Sequence, residues 1–425
     1  MIQCSYVFHH RYEQEEMIMD LNKINQIFAD TAYIRTGGSD AEKKCAEYLQ
    51  GLCGELGLQA ELEPFEVDMA TIHDAKLIVD GEEIPCKGYL NAGSGEVEAE
   101  LYYLPSTGKY ALSQCKGKIV MVDGYLGYWI YQDLLENGAV GFITYDGNAN
   151  YVDEDIDQRE LRSYVSKGVK IPGVNINAKN AIKLVQNDAK TAKIILKQDE
   201  YKGTSHNVVL ELPGESEQTI VMTAHYDSTS LSTGAYDNMS GSIGLLAAAE
   251  RFSKEPHHYT LRLVWCGSEE RGLLGSKAHV ALHEGELDKV VLNVNLDMIG
   301  CIMGKFISCC TSEEKLVGYI EYFADEMGFP ITVRQDVYSS DSTPFADKGI
   351  PAVSFARIAP QNTAVIHNSY DTLKLMKAEH MDKDMTFINN FLARMLNAVR
   401  CPVAREMPDN MKEKLDVYLC RKRGK

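Results

Sequence analysis

The pattern of apolar and polar positions divides the chain into three stretches. Around residues 39–57, Cys45, Leu49, Leu52, Cys53 and Leu56 recur at helical intervals, and Ser39 with Glu42 has capping-box spacing, which predicts an amphipathic surface helix. After Glu63-Pro64-Phe65 the period shortens. Alternating or β-branched runs at 75–79, 98–104, 118–122, 140–145 and 194–196, broken by Gly, Asn and Asp, predict a separate β-rich unit over roughly 70–200.

From Asn207 onward strands and helices alternate. Strands are expected over 219–225, 261–266 and 290–296, and helices over 241–252, 273–282, 313–327 and 380–398. Such a series folds as an α/β domain, a mixed and largely parallel sheet sandwiched by helices. The charged stretch ending in Arg421-Lys-Arg-Gly-Lys predicts a frayed terminal helix.

Composition narrows the function. With 425 residues the chain exceeds what one core supports. The 45% hydrophobic and 24% charged content is that of an ordinary globular protein. A net charge of -18 argues against nucleic acid or a membrane surface as partner, because both are polyanionic, and leaves peptide substrates as the compatible class. The first twelve residues lack the features of a secretory signal, and no segment holds the ~20 apolar residues of a membrane span, so a cytoplasmic location is expected. The 11 scattered cysteines suit reduced thiols in that compartment, with Cys309-Cys310 buried beside a strand. The oligomeric state has no signature in the sequence.

The candidate chemistry lies where the α/β series places strand ends, which is where open sheets of this kind gather ligands. His225 and Asp227 end the first strand, Asp237 stands before a helix, Glu269 and Glu270 follow the second strand, Asp297 closes the third, and His367 lies in Ile366-His-Asn-Ser-Tyr. Singly, each is an N-cap or a satisfied polar residue. Together they crowd like charge at one edge of a sheet, a penalty that a pair of cations removes. His279 and His283 also have the i, i+4 spacing of zinc ligands, but Val280 stands where a helical metalloprotease has its Glu, and these two, like His9-His10 and His257-His258, read as surface histidines.

The ordered motifs His-x-Asp, Gly-x-x-Asp-Asn-x-Ser-Gly, Glu-Glu-x-Gly-Leu-Leu-Gly-Ser, Asn-x-Asp-Met and a late His-x-x-x-Asp resemble the co-catalytic two-zinc aminopeptidase family. Its relatives include aminopeptidase Y, plasma glutamate carboxypeptidase, transferrin receptor ectodomains and glutaminyl cyclases. Residues 116–122, 136–143 and 171–174 resemble a protease-associated (PA) domain inserted in such enzymes. The resemblance implies a catalytic domain of two parts, 1–68 and 203–425, around an insert at 69–202. It assigns His225 and Asp297 to one zinc, His367 and Glu270 to the other, and Asp237 to both. It further implies that cobalt or manganese can substitute.

In that family pattern Glu269 is the general base for a hydroxide bridging the two zinc ions. Asp227 and Asp371 support His225 and His367 from behind, and Tyr338 is a possible donor to the oxyanion. Asp341 matches a family Asp, although Ser342 stands where the family has His. The implied activity is that of a metallo-exopeptidase, an aminopeptidase first. A carboxypeptidase or dipeptidase of the same family, with Arg271 or Arg357 holding the terminal carboxylate, is the alternative, and an inactive binding protein on this scaffold is a remote one.

Overall fold

The computed structural model describes residues 18–150, 155–361 and 363–424, so the His9-His10 pair and the first twelve residues lie outside the described residues. Its centre is the strand Ser216–His225, flanked in parallel by Tyr259–Cys266 on one side and Val290–Leu296 on the other. Ala352–Ile358 continues the parallel run beyond Val290–Leu296, and Lys305–Thr311 and Thr332–Gln335 complete that edge.

Side chains alternate across this sheet as strand geometry requires. Ile220, Met222 and Ala224 join one core while Val221 joins the other. On the neighbouring strand Leu261, Leu263 and Trp265 part from Val264 and Cys266 in the same way. Helices Asp40–Glu55, Ser240–Phe252, Lys315–Met327 and Ala378–Leu396 cover the first face, and Leu274–Leu282 with Ser342–Asp347 cover the second. The sheet is therefore buried on both sides, and its strands are continuous apolar runs.

Residues in the β-rich stretch leave and return along one ribbon. Glu61–Val79 pairs antiparallel with Thr191–Leu212 from Glu61↔Val209 to Val79↔Ala192. One end of the ribbon joins the catalytic sheet through Tyr259–Cys266, and the other joins Gly95–Tyr103. Four parallel strands follow there, from Gly95–Tyr103 through Ile119–Asp123 and Gly141–Asp146 to Gly173–Asn177, and they carry a core on each face. The unit also holds helices, Tyr128–Glu136 and Ala178–Gln186, which are too short to announce themselves by period against the surrounding strands.

Three expectations need correction. Ser39 caps its helix on the Glu42 N–H as predicted, but Glu42 turns inward to Ser205, Ser268 and the Gly38 N–H and is buried. The C-terminal helix Asp409–Tyr418 is not frayed, because Met411 and Leu415 pack against Ala346 and Ala352. His279 is not at the surface either. It is 1% exposed, and it and His283 contact Glu63 at 3.2 and 2.9 Å. His257 is likewise buried against the Tyr259 carbonyl.

The Glu63 network ties the helix Leu274–Leu282 to the root of the ribbon, with Asn207 donating to the same carboxylate at 2.9 Å. Burial pushes the Glu63 carboxyl up, but the hydrogen bonds from His279, Asn207 and His283 outweigh it and lower its pKa to about 2 from 4.5. A depressed acid stabilises the fold above its unfolded pKa and ceases to do so as pH falls through the folded value. Glu63→Gln is therefore expected to cost about 2 kcal/mol at neutral pH, with screening allowed for. The gap in urea midpoint between wild type and variant should narrow below about pH 4.5 and close towards pH 2. A gap independent of pH would contradict this account.

Candidate active site

The carboxyl ends of four adjacent parallel strands meet at one edge of the sheet. His225 is the last residue of the central strand, Asp297 follows Val290–Leu296, Glu269 and Glu270 follow Tyr259–Cys266, and His367 lies in the loop after Ala352–Ile358. Asp237 comes from the turn leading into the helix Ser240–Phe252. Several non-glycine residues around these loops, among them Ser268, Met298 and His367 itself, hold positive φ, a strained conformation that persists where surrounding contacts fix it.

Those side chains converge in two clusters that share Asp237. His225, Asp237 and Asp297 present ligand atoms within 4.8 Å of one another, and so do Asp237, Glu270 and His367. His225 Nε2 is 3.1 Å from Asp237 Oδ1 and 3.7 Å from Asp297 Oδ1, while His367 Nε2 is 3.1 Å from Asp237 Oδ2 and 3.2 Å from Glu270 Oε2. Glu270 Oε1 and Asp297 Oδ1 are buried without a hydrogen-bond partner among the described residues. Three carboxylates and two imidazoles with unspent lone pairs fit a pair of divalent cations of the zinc type.

Charge is extreme here. Burial opposes a positive His225, but the carboxylates around it, Glu269 foremost, raise its pKa well above 6.5. His367 is raised against the same opposition by Glu270 and Asp237. Burial and the neighbouring Glu270 push Glu269 well above 4.5. Its carboxylate takes no hydrogen bond among the described residues and lines a cavity of about 600 Å³ with both clusters. Tyr338 lines the same cavity, its hydroxyl pKa pushed up by burial and by Asp297 and Asp237.

Supporting groups hold the loops. Asp227 is fully buried, 3.3 Å from His225 Nδ1, and it accepts the backbone N–H of Glu269 at 3.0 Å and of Glu270 at 3.2 Å. Arg35, also fully buried, donates to the carbonyls of Thr31, Tyr226, Thr233 and Gly234 and so pins the loop before Asp237. Asp341 is buried against Ser276 Oγ at 2.5 Å, its pKa raised to about 7 chiefly by burial.

Asp371 departs from expectation. Its carboxylate accepts the N–H groups of Tyr236 and Asp237 at 2.8 and 3.1 Å and the Ser232 hydroxyl at 3.2 Å, so it braces the Asp237 turn rather than the His367 ring. Arg271 and Arg357 are committed as well, to Glu160 at 2.7 Å and to Asp384. Two contributions to the cavity had no signal in the sequence, because they come from other units: Tyr125, Arg162 and Tyr164 from the inserted unit, and Tyr418 and Leu419 from the C-terminal helix.

A doubly covered parallel sheet with two carboxylate–imidazole clusters at its carboxyl edge is the arrangement expected of a metallopeptidase. The model of peptidase family M28 matches residues 207–391. The chain is 27% identical over 371 residues to aminopeptidase YwaD of Bacillus subtilis (strain 168), covering 82% of this chain and 78% of that one. It is 34% identical over 162 residues to leucine aminopeptidase 2 of Trichophyton equinum, covering 35% of this chain and 33% of that relative. Its fold resembles that of BSAP, a zinc aminopeptidase from Bacillus subtilis, with a TM-score of 0.74 at 24% identity over 92% of this chain and 97% of that one. An aminopeptidase from Aneurinibacillus sp. strain AM-1 matches at a TM-score of 0.72 and 22% identity, over 91% of this chain and 96% of that one.

Removing the Asp371 carboxylate leaves two buried N–H groups without an acceptor, a loss of about 1–3 kcal/mol. Asp371→Ala should therefore lower the urea midpoint of metal-free protein more than Asp371→Asn, which keeps one acceptor oxygen. Equal midpoints for both variants and wild type would rule out the bracing role.

Proposed function

We propose that the chain is a zinc-dependent aminopeptidase that binds two metal ions per chain and removes N-terminal residues from peptides. The sharing of Asp237 between two carboxylate–imidazole clusters, with the unpartnered carboxylate of Glu269 beside both, carries this reading. His225 and Asp297 would hold one ion, Glu270 and His367 the other, and Asp237 both. Cobalt or manganese are compatible with the same donors. When bound, the ions polarise the scissile carbonyl and acidify the attacking water.

The remaining steps belong to the chain. Glu269 takes the proton of the attacking water and delivers it to the leaving amine. Asp227 holds the backbone of Glu269 and Glu270 so that base and ligand keep their spacing. Tyr338, which lines the cavity with both clusters, would donate to the developing oxyanion. The carboxypeptidase alternative loses the two arginines proposed to hold a terminal carboxylate, since both are spent in ion pairs, Arg271 with Glu160 and Arg357 with Asp384.

The unit between the ribbon strands is assigned as a PA domain on the strength of residues 116–122, 136–143 and 171–174. A cytoplasmic location accords with the cysteines of the described residues, all of which are free thiols. No described helix is long and apolar enough to cross a membrane.

Aminoacyl p-nitroanilides and dipeptides, each free and N-acetylated, test the direction of attack. Cleavage of free-amine substrates alone is expected, and cleavage of the acetylated dipeptides, which keep a free carboxylate, would transfer the protein to the carboxypeptidase reading. The two glutamates separate the roles. Glu269→Gln should keep two zinc ions by mass spectrometry while kcat falls roughly 10²–10⁴-fold. Glu270→Gln should lose occupancy of one site, because a neutral amide is the weaker ligand. The opposite pattern would exchange the assignments.

A further inference from the structure

The cavity at the clusters carries two cations that nothing in the mechanism uses. Arg162, from the inserted unit, donates from Nη2 to the carbonyl oxygen of Glu270, and Lys277, from the helix Leu274–Leu282, donates from Nζ to the carbonyl oxygen of Gly272 at 2.8 Å. Both line the cavity, and both grip the turn that carries a cluster carboxylate. Neither forms an ion pair among the described residues, although the chain has a net charge of -18. Glu160, the acid that lines the cavity beside Arg162, is taken by Arg271 at 2.7 Å.

These cations are held rather than merely extended into solvent. Lys277 Nζ sits 5.4 Å from the Tyr164 ring centre, and Arg162 5.9 Å from that of Tyr125. Gly272 gives this turn a φ of +111°, which side-chain-bearing residues rarely adopt, and the turn lies in van der Waals reach of Tyr164 and Arg162 of the inserted unit. A guanidinium has five N–H donors and an ammonium three, so each keeps donors beyond the carbonyl it holds.

We propose that Arg162 and Lys277 form a subsite for a substrate carboxylate. The inference rests on the peptidase reading above. A carboxylate reaches this turn in one of two ways: as the terminus of a di- or tripeptide lying in the cavity of about 600 Å³, or as an acidic side chain on the substrate's N-terminal residue. Either pairs opposite charges through its hydrogen bonds, whereas a neutral amide oxygen accepts the same N–H groups without the ion pair.

The test uses the zinc-loaded full chain and two matched pairs: Ala-Leu against Ala-Leu amide for the terminal carboxylate, and Glu p-nitroanilide against Gln p-nitroanilide for the side chain. The carboxylate member of one pair is expected to show kcat/KM about tenfold or more above its neutral partner, and the pair that does so identifies the source. Lys277→Met should bring that ratio close to one, mainly through KM, and Lys277→Arg should restore it. Because Lys277 is exposed, the variant tests the subsite without disturbing the core. Ratios near one in both pairs for the wild type, or a ratio that survives both Lys277→Met and Arg162→Gln, would overturn the subsite and leave the peptidase reading standing. Failure to cleave any of the four would bring down both.

Discussion

Like charge confined at the carboxyl edge of a buried sheet is the constraint on which the site depends. Asp227, Asp237, Asp297 and Asp341 are nearly or fully buried, and Glu269 and Glu270 line one cavity with Asp237 and Asp297. In a low-dielectric setting such carboxylates repel one another, and two imidazoles offset only part of that repulsion. The fold answers with direction: backbone N–H groups of residues 269 and 270 point at Asp227, and those of residues 236 and 237 at Asp371. The acids not used to fix backbone are those left with open lone pairs. Division of labour among chemically identical groups is thus set by where the N–H donors fall.

Much of this was legible in the sequence because chemistry and period coincide. Strand-length apolar runs such as 219–225 end in His or acid, and a two-sided sheet fixes which end those residues occupy. The strand Ala352–Ile358 was missed although Gly349 and Pro351 bound it before and Pro360 after, because its short apolar run lacks the alternation that marks a strand, yet it positions the His367 loop. Histidine environments were misread for a related reason. His279 is buried because Glu63, over two hundred positions away, crosses above it on the ribbon, and no local pattern encodes that crossing. Asp371 was placed at the right site but assigned the wrong neighbour, since spacing to His367 says nothing of which way a loop presents its carboxylate.

The cavity walls show the same limit on a larger scale. Their aromatic members, Tyr125, Tyr164, Tyr338 and Tyr418, come from the inserted unit, the catalytic domain and the C-terminal helix. Ser339 and Tyr418 join hydroxyls at 2.7 Å, and Arg423 beyond them pairs with Asp133 of the inserted unit and lies 4.8 Å from the Trp129 ring centre. The C-terminal segment therefore bridges the units at the cavity, with Tyr418 among its walls.

The ribbon gives this enclosure a mechanical character. Between Leu196 and Val208 the strand Thr191–Leu212 pairs with Glu61–Val79 alone, while at both ends it is part of a wider sheet. A two-stranded span twists more readily than the sheets it joins. The walls of the cleft are thus the two jaws of a torsion spring, clasped at the rim by Arg271–Glu160 and Arg423–Asp133. Salt loosens the more exposed clasp first. How firmly the two walls are held is thereby tied to charge at the rim, at a distance from the groups that line the clusters.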